Sequence, residues 1–239
     1  MMRGRAISVT DATHITGTIA QVAMSTTSGL TIVRRGVSFS INTTTVGAGG
    51  RSTATAIQAS TVYYIHVIDD GGSNTSAILD TSATSPTLPS GYVYSYMVGA
   101  VNTSTGSNGL IAVVINGKKT QYKVGGVNCA TPPIIGTGVT GNVTTPTWTA
   151  AQVTGNGYVL PTIATHILGW ATASNSAATI TAAPNNSYGG VNSTTNAAPV
   201  FAYQYNTCPF IFQLESNSIY WASNGTNCRI YCLGWEDDL

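Results

Sequence analysis

Short runs of β-branched and aromatic residues recur along the chain, separated by segments rich in glycine, asparagine, serine and threonine. The clearest run covers residues 62–68 and ends at the turn sequence Asp-Asp-Gly-Gly of residues 69–72. Apolar runs of this length that end at turn residues are typical of β-strands. Because residues 62–68 are almost continuously apolar, this strand is predicted to be buried on both faces, inside a sandwich or at a subunit interface.

The first half of the chain contains further predicted strands. They cover residues 30–33, 37–41, 92–99, 110–115 and 118–124. The Asn-Gly pair at residues 116–117 predicts a hairpin turn. Alternate residues of a strand share a face, so Tyr92, Tyr94 and Tyr96 are predicted to point to the same side. We expect these tyrosines and His66 to lie in the core or at a subunit interface.

A second series of predicted strands follows a stretch rich in glycine, threonine and proline at residues 131–147. The strands cover residues 166–171, 177–182, 199–205, 210–215, 218–222 and 228–235. The long polar segment 185–198 is a candidate contact loop. Short, evenly spaced strands favour sandwiches and jelly rolls. The predicted fold class is therefore all-β, with two antiparallel β-sandwich or jelly-roll-like modules, residues 1–130 and 131–239, joined by the linker at 131–147.

The chain carries unusually little charge. Charged residues make up 7% of its 239 residues, hydrophobic residues make up 43%, and the formal net charge is +1. Disorder usually combines low hydrophobicity with high net charge, so a folded protein is expected. The basic residues are scattered rather than grouped in a patch, which argues against a nucleic-acid partner. A nearly neutral surface promotes association, and we expect a permanent homo-oligomer.

The chain also lacks the patterns of membrane and secreted proteins. No stretch approaches 18 apolar residues, so we expect no membrane insertion. The first residues carry charge, but the apolar segment of a signal peptide does not follow them. We therefore expect synthesis in a cytoplasm.

The ionisable residues form no recognisable catalytic or metal-binding motif. The three histidines lack the spacing of a metal site. Glu215 with Asp80 or Asp69 is a conceivable glycosidase pair, but nothing in the sequence places these carboxylates together. Residues 69–72 offer oxygen ligands for calcium, although a solvated turn is favoured. We expect no enzymatic activity, no catalytic residue, no metal and no cofactor.

Four cysteines occur in the chain, at Cys129, Cys208, Cys228 and Cys232. Cys228 and Cys232 would lie on one side of a strand, about 13 Å apart, which is too far for a bridge within a straight strand. Small buried apolar side chains are the favoured interpretation. A disulfide between Cys208 and one of the others stays open.

Aromatic residues are the remaining binding candidates. Trp148, Trp221 and Tyr188 are candidates for contact with a surface partner or glycan through a platform of stacked rings. The alternative is packing in the core or between subunits, because aromatic side chains bury large apolar areas.

Residues 63–101 carry a resemblance to a known family. The segment contains a strand YYIHVI at 63–68, the stretch LDTSATSPTLPSGY at 79–92 and the sequence VGAV at 98–101. This order resembles a segment that recurs in tail-fibre-like and other appendage or surface proteins of tailed bacteriophages and prophages. Its prolines and glycine suit a turn between two core strands. Residues 95–97, Ser-Tyr-Met, stand where the family carries basic residues.

The resemblance implies a virion component, often a homotrimer, made in the cytoplasm of a host bacterium. It implies other virion proteins and a host surface glycan or receptor as partners, and it carries over no catalytic residue. The hypothesis is a tail-fibre-like structural protein of a tailed-bacteriophage virion. The alternatives are a capsid decoration or head-fibre protein and a carbohydrate-binding module without catalytic activity. A polysaccharide-degrading tailspike is disfavoured, because the chain is short and poor in acids.

Overall fold

The computed structural model describes residues 1–145, 147–155 and 159–239. Within these ranges the chain forms sixteen β-strands and no helix. The described residues therefore contain no helix that could span a membrane. The all-β fold class is therefore confirmed, and the named strands pair antiparallel within each unit. The chain forms two compact units: unit 1 comprises Met1–Thr131 with Asp238–Leu239, and unit 2 comprises Pro132–Asp237. The boundary lies at the Pro132-Pro133 pair within the predicted linker.

Unit 1 contains the first eight strands. They are β1 (Met2–Val9), β2 (His14–Ser25), β3 (Thr31–Asn42), β4 (Val62–Asp69), β5 (Thr75–Asp80), β6 (Tyr94–Asn102), β7 (Val113–Asn116) and β8 (Lys119–Tyr122). Their order in the sheet is β8-β7-β1-β2-β6-β4-β5, and β3 also pairs with β2. The predicted hairpin joins β7 to β8.

The core of unit 1 centres on β4, and every residue of this strand is buried. β4 lies between β5 and β6, so its backbone is paired on both sides. Ile65, Val67 and Ile68 are fully buried. Their burial agrees with the continuous apolar sequence, because a strand covered on both faces needs no polar alternation.

The sequence predictions miss β1 and β2, whose outward residues include small and polar side chains. Within β2, Ile15 and Ile19 point into the core, while Gly17 is covered by Phe39 of β3. A Cβ atom at Gly17 would lie only 2.3 Å from Phe39 Cζ. An aromatic ring thus covers a strand glycine, which restores the apolar area that the glycine lacks.

The face that β2 presents to the core changes near Ala20. Ile19 and Val22 are both buried, although a regular strand would point residues three apart to opposite faces. Gly4 of β1 and Gly36 of β3 flank this position, and both have a φ of +61°. Glycine adopts this left-handed conformation without a steric penalty, which allows the three strands to change face together.

Unit 2 contains the remaining eight strands. They are β9 (Ile134–Thr137), β10 (Thr149–Gln152), β11 (Ala164–Thr172), β12 (Thr179–Ala183), β13 (Val200–Tyr203), β14 (Thr207–Gln213), β15 (Ser218–Ser223) and β16 (Arg229–Asp237). One set of strands has the order β14-β11-β16-β9, and the second sheet has the order β10-β15-β12-β13. Trp221 of β15 packs on Gly136 of β9, which brings the two layers face to face as in a sandwich.

Several boundaries differ from the predictions. The stretch 131–147 is not only a linker, because β9 lies within it and pairs with β16; residue 146 lies outside the described residues. The strand expected at 92–99 begins at Tyr94, and the strand expected at 110–115 begins at Val113. All four cysteines are unpaired, so the disulfide involving Cys208 is not formed.

Candidate contact surface

An exposed row of aromatic side chains lies on β13, the last strand of its sheet. Val200 and Ala202 of this strand are buried, whereas Phe201 and Tyr203 are 45% and 41% exposed. The alternation follows from strand geometry, because successive side chains point to opposite faces. The inward residues thus anchor the strand, and the outward rings meet solvent.

The rings of Phe201 and Tyr203 form a continuous flat surface. Their planes differ by 11° and their centroids lie 6.3 Å apart. This spacing is close to the rise of two strand residues, about 6.6 Å. On β12, the partners of these residues are Thr181 and Thr179, and both are buried. The pairing with β12 therefore fixes the backbone that presents the two rings.

The turn after β13 is held in an unusual conformation. Gln204 and Tyr205 have φ values of +48° and +60°. A non-glycine residue in this region costs about 1–3 kcal/mol and commonly marks a functional segment. The Gln204 Nε2 donates a hydrogen bond to the Tyr203 hydroxyl, with a separation of 2.6 Å. Tyr205 is 69% exposed at the turn.

We call Phe201, Tyr203 and Tyr205 the aromatic edge. Exposed apolar groups that lie together on a rigid scaffold are typical of interaction surfaces. Aromatic side chains suit such contacts, since they offer a large area and lose little conformational entropy. The sequence reasoning missed these residues as binding candidates, although the alternation Val-Phe-Ala-Tyr beside a polar loop is a signal for outward rings.

Two of the aromatic residues predicted as contacts lie together. The indole Nε1 of Trp148 donates a hydrogen bond of 2.9 Å to the carbonyl oxygen of Tyr188. Both residues are half-buried. The bond joins the segment before β10 to the predicted contact loop 185–198. This arrangement gives Trp148 a structural role and leaves only part of each ring accessible.

The surface contact predicted for Trp221 needs correction. Its side chain is 5% exposed, and the indole packs on the backbone of β9. A Cβ atom at Gly136 would lie 2.6 Å from Trp221 Cε2. The missing side chain of this glycine makes room for the indole, so Trp221 belongs to the core of unit 2.

Of the three tyrosines predicted to share one face of a strand, only two lie on that strand. Tyr94 and Tyr96 lie on β6, but Tyr92 precedes the strand and does not share its regular alternation. All three side chains are half-buried. The ring of Tyr94 covers Gly71, where an added Cβ atom would lie 3.1 Å from Tyr94 Cε2.

His66 lies in the core of unit 1 and is 2% exposed. Its Nε2 lies 2.8 Å from the carbonyl oxygen of Ser82, to which a protonated nitrogen donates. Burial lowers the pKa of His66, against opposing contributions from this hydrogen bond and from Asp80. The neutral ring therefore connects β4 to the loop after β5.

Gly71 and Gly72 are exposed, as the predicted solvated turn requires, but Asp69 is the last residue of β4 and its side chain is fully buried. Arg34 donates to both carboxylate oxygens, at 2.7 Å from Nε and 2.8 Å from Nη2. Burial by itself would raise the pKa of Asp69, but hydrogen bonds from Arg34, Thr75 and Gly71 outweigh it and lower the pKa. The carboxylate thus joins β3 to β4.

Asp80 and Glu215, the conceivable glycosidase pair, lie in different units. The Asp80 carboxylate accepts backbone N–H bonds from Ser82 at 2.6 Å and from Thr87 at 2.9 Å. Glu215 accepts a bond of 2.7 Å from the side chain of Asn185. Each carboxylate therefore fastens a loop. Among the described residues, no three His, Cys, Asp or Glu side chains are grouped as a metal site.

The hydrogen bonds of Asp80 also hold the loop between β5 and β6. The carboxylate holds the loop at two points, and the loop then leads through Pro86 and Pro89 into β6.

Comparison with protein-family models and with curated proteins finds no match for this chain.

Proposed function

We propose that this chain is a non-enzymatic structural protein of a tailed-bacteriophage particle. It is made in the cytoplasm of the host bacterium and assembles as a homotrimer in a tail fibre or related appendage. The aromatic edge of unit 2 contacts the host surface. The assignment to a particle follows from the resemblance of residues 63–101. The contact role rests on one observation: Phe201 and Tyr203 form an exposed pair of nearly parallel rings on a strand fixed by its buried neighbours.

The strained turn supports a binding role for this surface. Gln204 and Tyr205 keep left-handed conformations although a glycine would adopt them more easily. Stability alone would favour glycine at both positions, so the presence of side chains there is consistent with a role in contact. A rigid tyrosine-rich surface suits recognition, because rings held before contact lose little freedom on binding.

Imaging the particle tests the location. Purified particles from a phage that encodes this chain are labelled with gold-conjugated antibodies against the chain and viewed by electron microscopy. We expect label on the tail or its fibres. Label on the capsid would support the alternative of a head-fibre or decoration protein, and unlabelled particles would overturn the proposal of a virion protein.

A binding assay tests the contact surface. The intact protein is applied to immobilised lipopolysaccharide and capsular polysaccharide from the bacterial host, and its oligomeric state is measured by light scattering. We expect a trimer, and we expect Tyr203→Ala and Tyr205→Ala each to weaken binding about tenfold, as befits the loss of an aromatic anchor. Tyr92→Ala, a half-buried tyrosine of unit 1, is the matched control. Equal binding by all variants would remove the aromatic edge from the proposal.

The carbohydrate-binding module is the second candidate, and the same aromatic edge favours it. The two candidates differ in oligomeric state and in location. The free module would be favoured if the protein is a monomer that binds a polysaccharide through Tyr203, and if antibodies against it label no particle.

A further inference from the structure

Unit 1 contains a polar recess that none of the functions above uses. It lies between the loop that follows β3 and the loop that follows β5, and its volume is about 280 Å³. Arg51 and Asp80 stand in its wall, together with Tyr63 of β4. Five hydroxyl side chains complete the lining: Ser52, Thr53, Thr55, Thr81 and Thr87.

The hydroxyl groups of the recess are free to bind a ligand. Within the part of the chain that the structure describes, none of these five side chains forms a hydrogen bond with another residue. Each hydroxyl supplies one donor and two acceptor positions. The recess therefore presents a dense set of donors and acceptors.

Arg51 is fixed at the recess. Its Nη1 donates to the carbonyl oxygens of Ala54, at 3.1 Å, and Thr55. Its Nε is buried without a hydrogen-bond partner, and Nη2 has none among the described residues. The backbone of Arg51 also forms bridges to Val46 and Leu79. The guanidinium is therefore held in place while part of its donor capacity stays unused.

Asp80 supplies the complementary acceptor. Each of its oxygens accepts one backbone N–H, from Ser82 or Thr87, which leaves further lone pairs on both oxygens. The Tyr63 hydroxyl accepts the N–H of Gln58 at 2.9 Å, and its own proton remains available. One positive and one negative side chain give the recess no net charge, so an anion gains nothing overall.

We propose that this recess binds a single neutral pyranose residue of a glycan. A pyranose carries several hydroxyl groups at fixed spacing, each a donor and an acceptor, and this matches the lining. The volume lies just below the range of about 300–1,000 Å³ for sites of drug-sized ligands, as expected for one sugar ring. The site lies in unit 1 and does not rest on the proposed function of the aromatic edge.

Ligand titration of the full chain tests this site. The probes are the methyl glycosides of glucose, galactose, mannose and N-acetylglucosamine, followed by amide chemical shifts in NMR spectra. We expect at least one glycoside to bind saturably, with a Kd on the order of 1 mM, as few polar contacts allow. The largest shifts are expected at Arg51, Thr81 and Thr87.

Substitutions then locate the bound sugar. We expect Thr55→Val with Thr87→Val to weaken binding about tenfold, because valine keeps the shape of threonine and removes its hydroxyl. Arg51→Lys removes the fork of donors and has a similar effect. Thr18→Val, an exposed threonine of β2, is the control and leaves the Kd unchanged.

Two outcomes overturn the site. One is that no glycoside of the panel shifts the amides of the recess in the unaltered protein, a result that does not depend on any variant folding. The other is binding that Thr55→Val with Thr87→Val leaves unchanged. Tyr203→Ala separates this site from the aromatic edge: we expect it to leave monosaccharide binding intact, and a loss of binding would place the sugar on unit 2.

Discussion

Asp69 is a buried carboxylate whose charge is satisfied by its neighbours. Replacement by asparagine keeps the shape but removes the charge that Arg34 faces. We expect Asp69→Asn to lower the free energy of unfolding by about 2 kcal/mol, because hydrogen bonds to charged groups contribute more than neutral ones. Urea denaturation at neutral pH measures the change, and Asp238→Asn, at an exposed carboxylate of the same unit, is the control.

The effect of Asp69→Asn depends on pH. The pKa of Asp69 is lowered in the folded protein, so its contribution is complete above the unfolded pKa of about 3.9 and is lost as the pH falls through the folded value. The difference between the two proteins therefore shrinks in acid. A variant as stable as the original protein at neutral pH would show that the ion pair contributes nothing.

His66 predicts a second dependence on pH. Burial lowers its pKa, so the unfolded chain takes up a proton before the folded protein does. Stability is therefore expected to fall as the pH drops below about 6.5, the ordinary histidine value. His66→Gln keeps a donor for Ser82 but does not titrate. Urea midpoints at several pH values between 5 and 7 should change less in this variant, and an equal slope would assign the dependence to other groups.

At the scale of the element, we expect the turn after β13 to lower the stability of the fold while it presents Tyr205 for contact. Tyr205→Gly places a permissive residue at a φ of +60°. We expect the free energy of unfolding to rise by about 1 kcal/mol and binding through the aromatic edge to weaken. Thermal unfolding measures the first effect. A lower Tm would show that packing of the Tyr205 ring outweighs its backbone strain.

Gly36→Ala is the converse substitution for the turn experiment. Gly36 also has a φ of +61°, and no atom lies within 4 Å of an added Cβ. Only the backbone conformation opposes the alanine, so the expected loss is about 1 kcal/mol. Opposite signs for the two variants would show that the left-handed conformation itself controls stability.

The strands were predictable where local sequence decides their burial. β4 is continuously apolar and is covered on both faces, and the β7–β8 hairpin contains an Asn-Gly pair. β2 was missed because its inward positions include Gly17, which becomes apolar only under the ring of Phe39. β9 was missed because its strand conformation depends on pairing with β16, a partner about ninety residues away in sequence.

At the scale of the whole molecule, the reactivity of the thiols measures how well the interior of each unit excludes solvent. Cys129, Cys228 and Cys232 are buried, and Cys208 is half-buried. Burial raises the pKa of Cys232 to about 12, so little thiolate is present at neutral pH. With a chromogenic disulfide reagent we expect Cys208 to react first in the folded protein and all four cysteines to react in urea. Rapid reaction of Cys232 without denaturant would contradict this packing.

The exposure of aromatic residues was the least predictable property of the candidate surface. Trp221 and Tyr203 both lie on strands of one sheet, yet Trp221 is buried and Tyr203 meets solvent. The ring of Trp221 shares its face of the sheet with Val200 and packs on Gly136. Tyr203 points to the opposite face, on the strand that ends the sheet. Topology decides this contrast, and residue type alone does not reveal it.

The alternation along β13 divides its residues into inward positions, which the fold requires, and outward positions, which it does not. Val200 and Ala202 pack in the interior, so most replacements there destabilise the fold. Phe201 and Tyr203 point to solvent, so replacing them leaves the interior intact. Mutations at the outward positions can therefore accumulate without unfolding the chain. Under the proposed function, the contact surface would change one codon at a time on an unchanged scaffold.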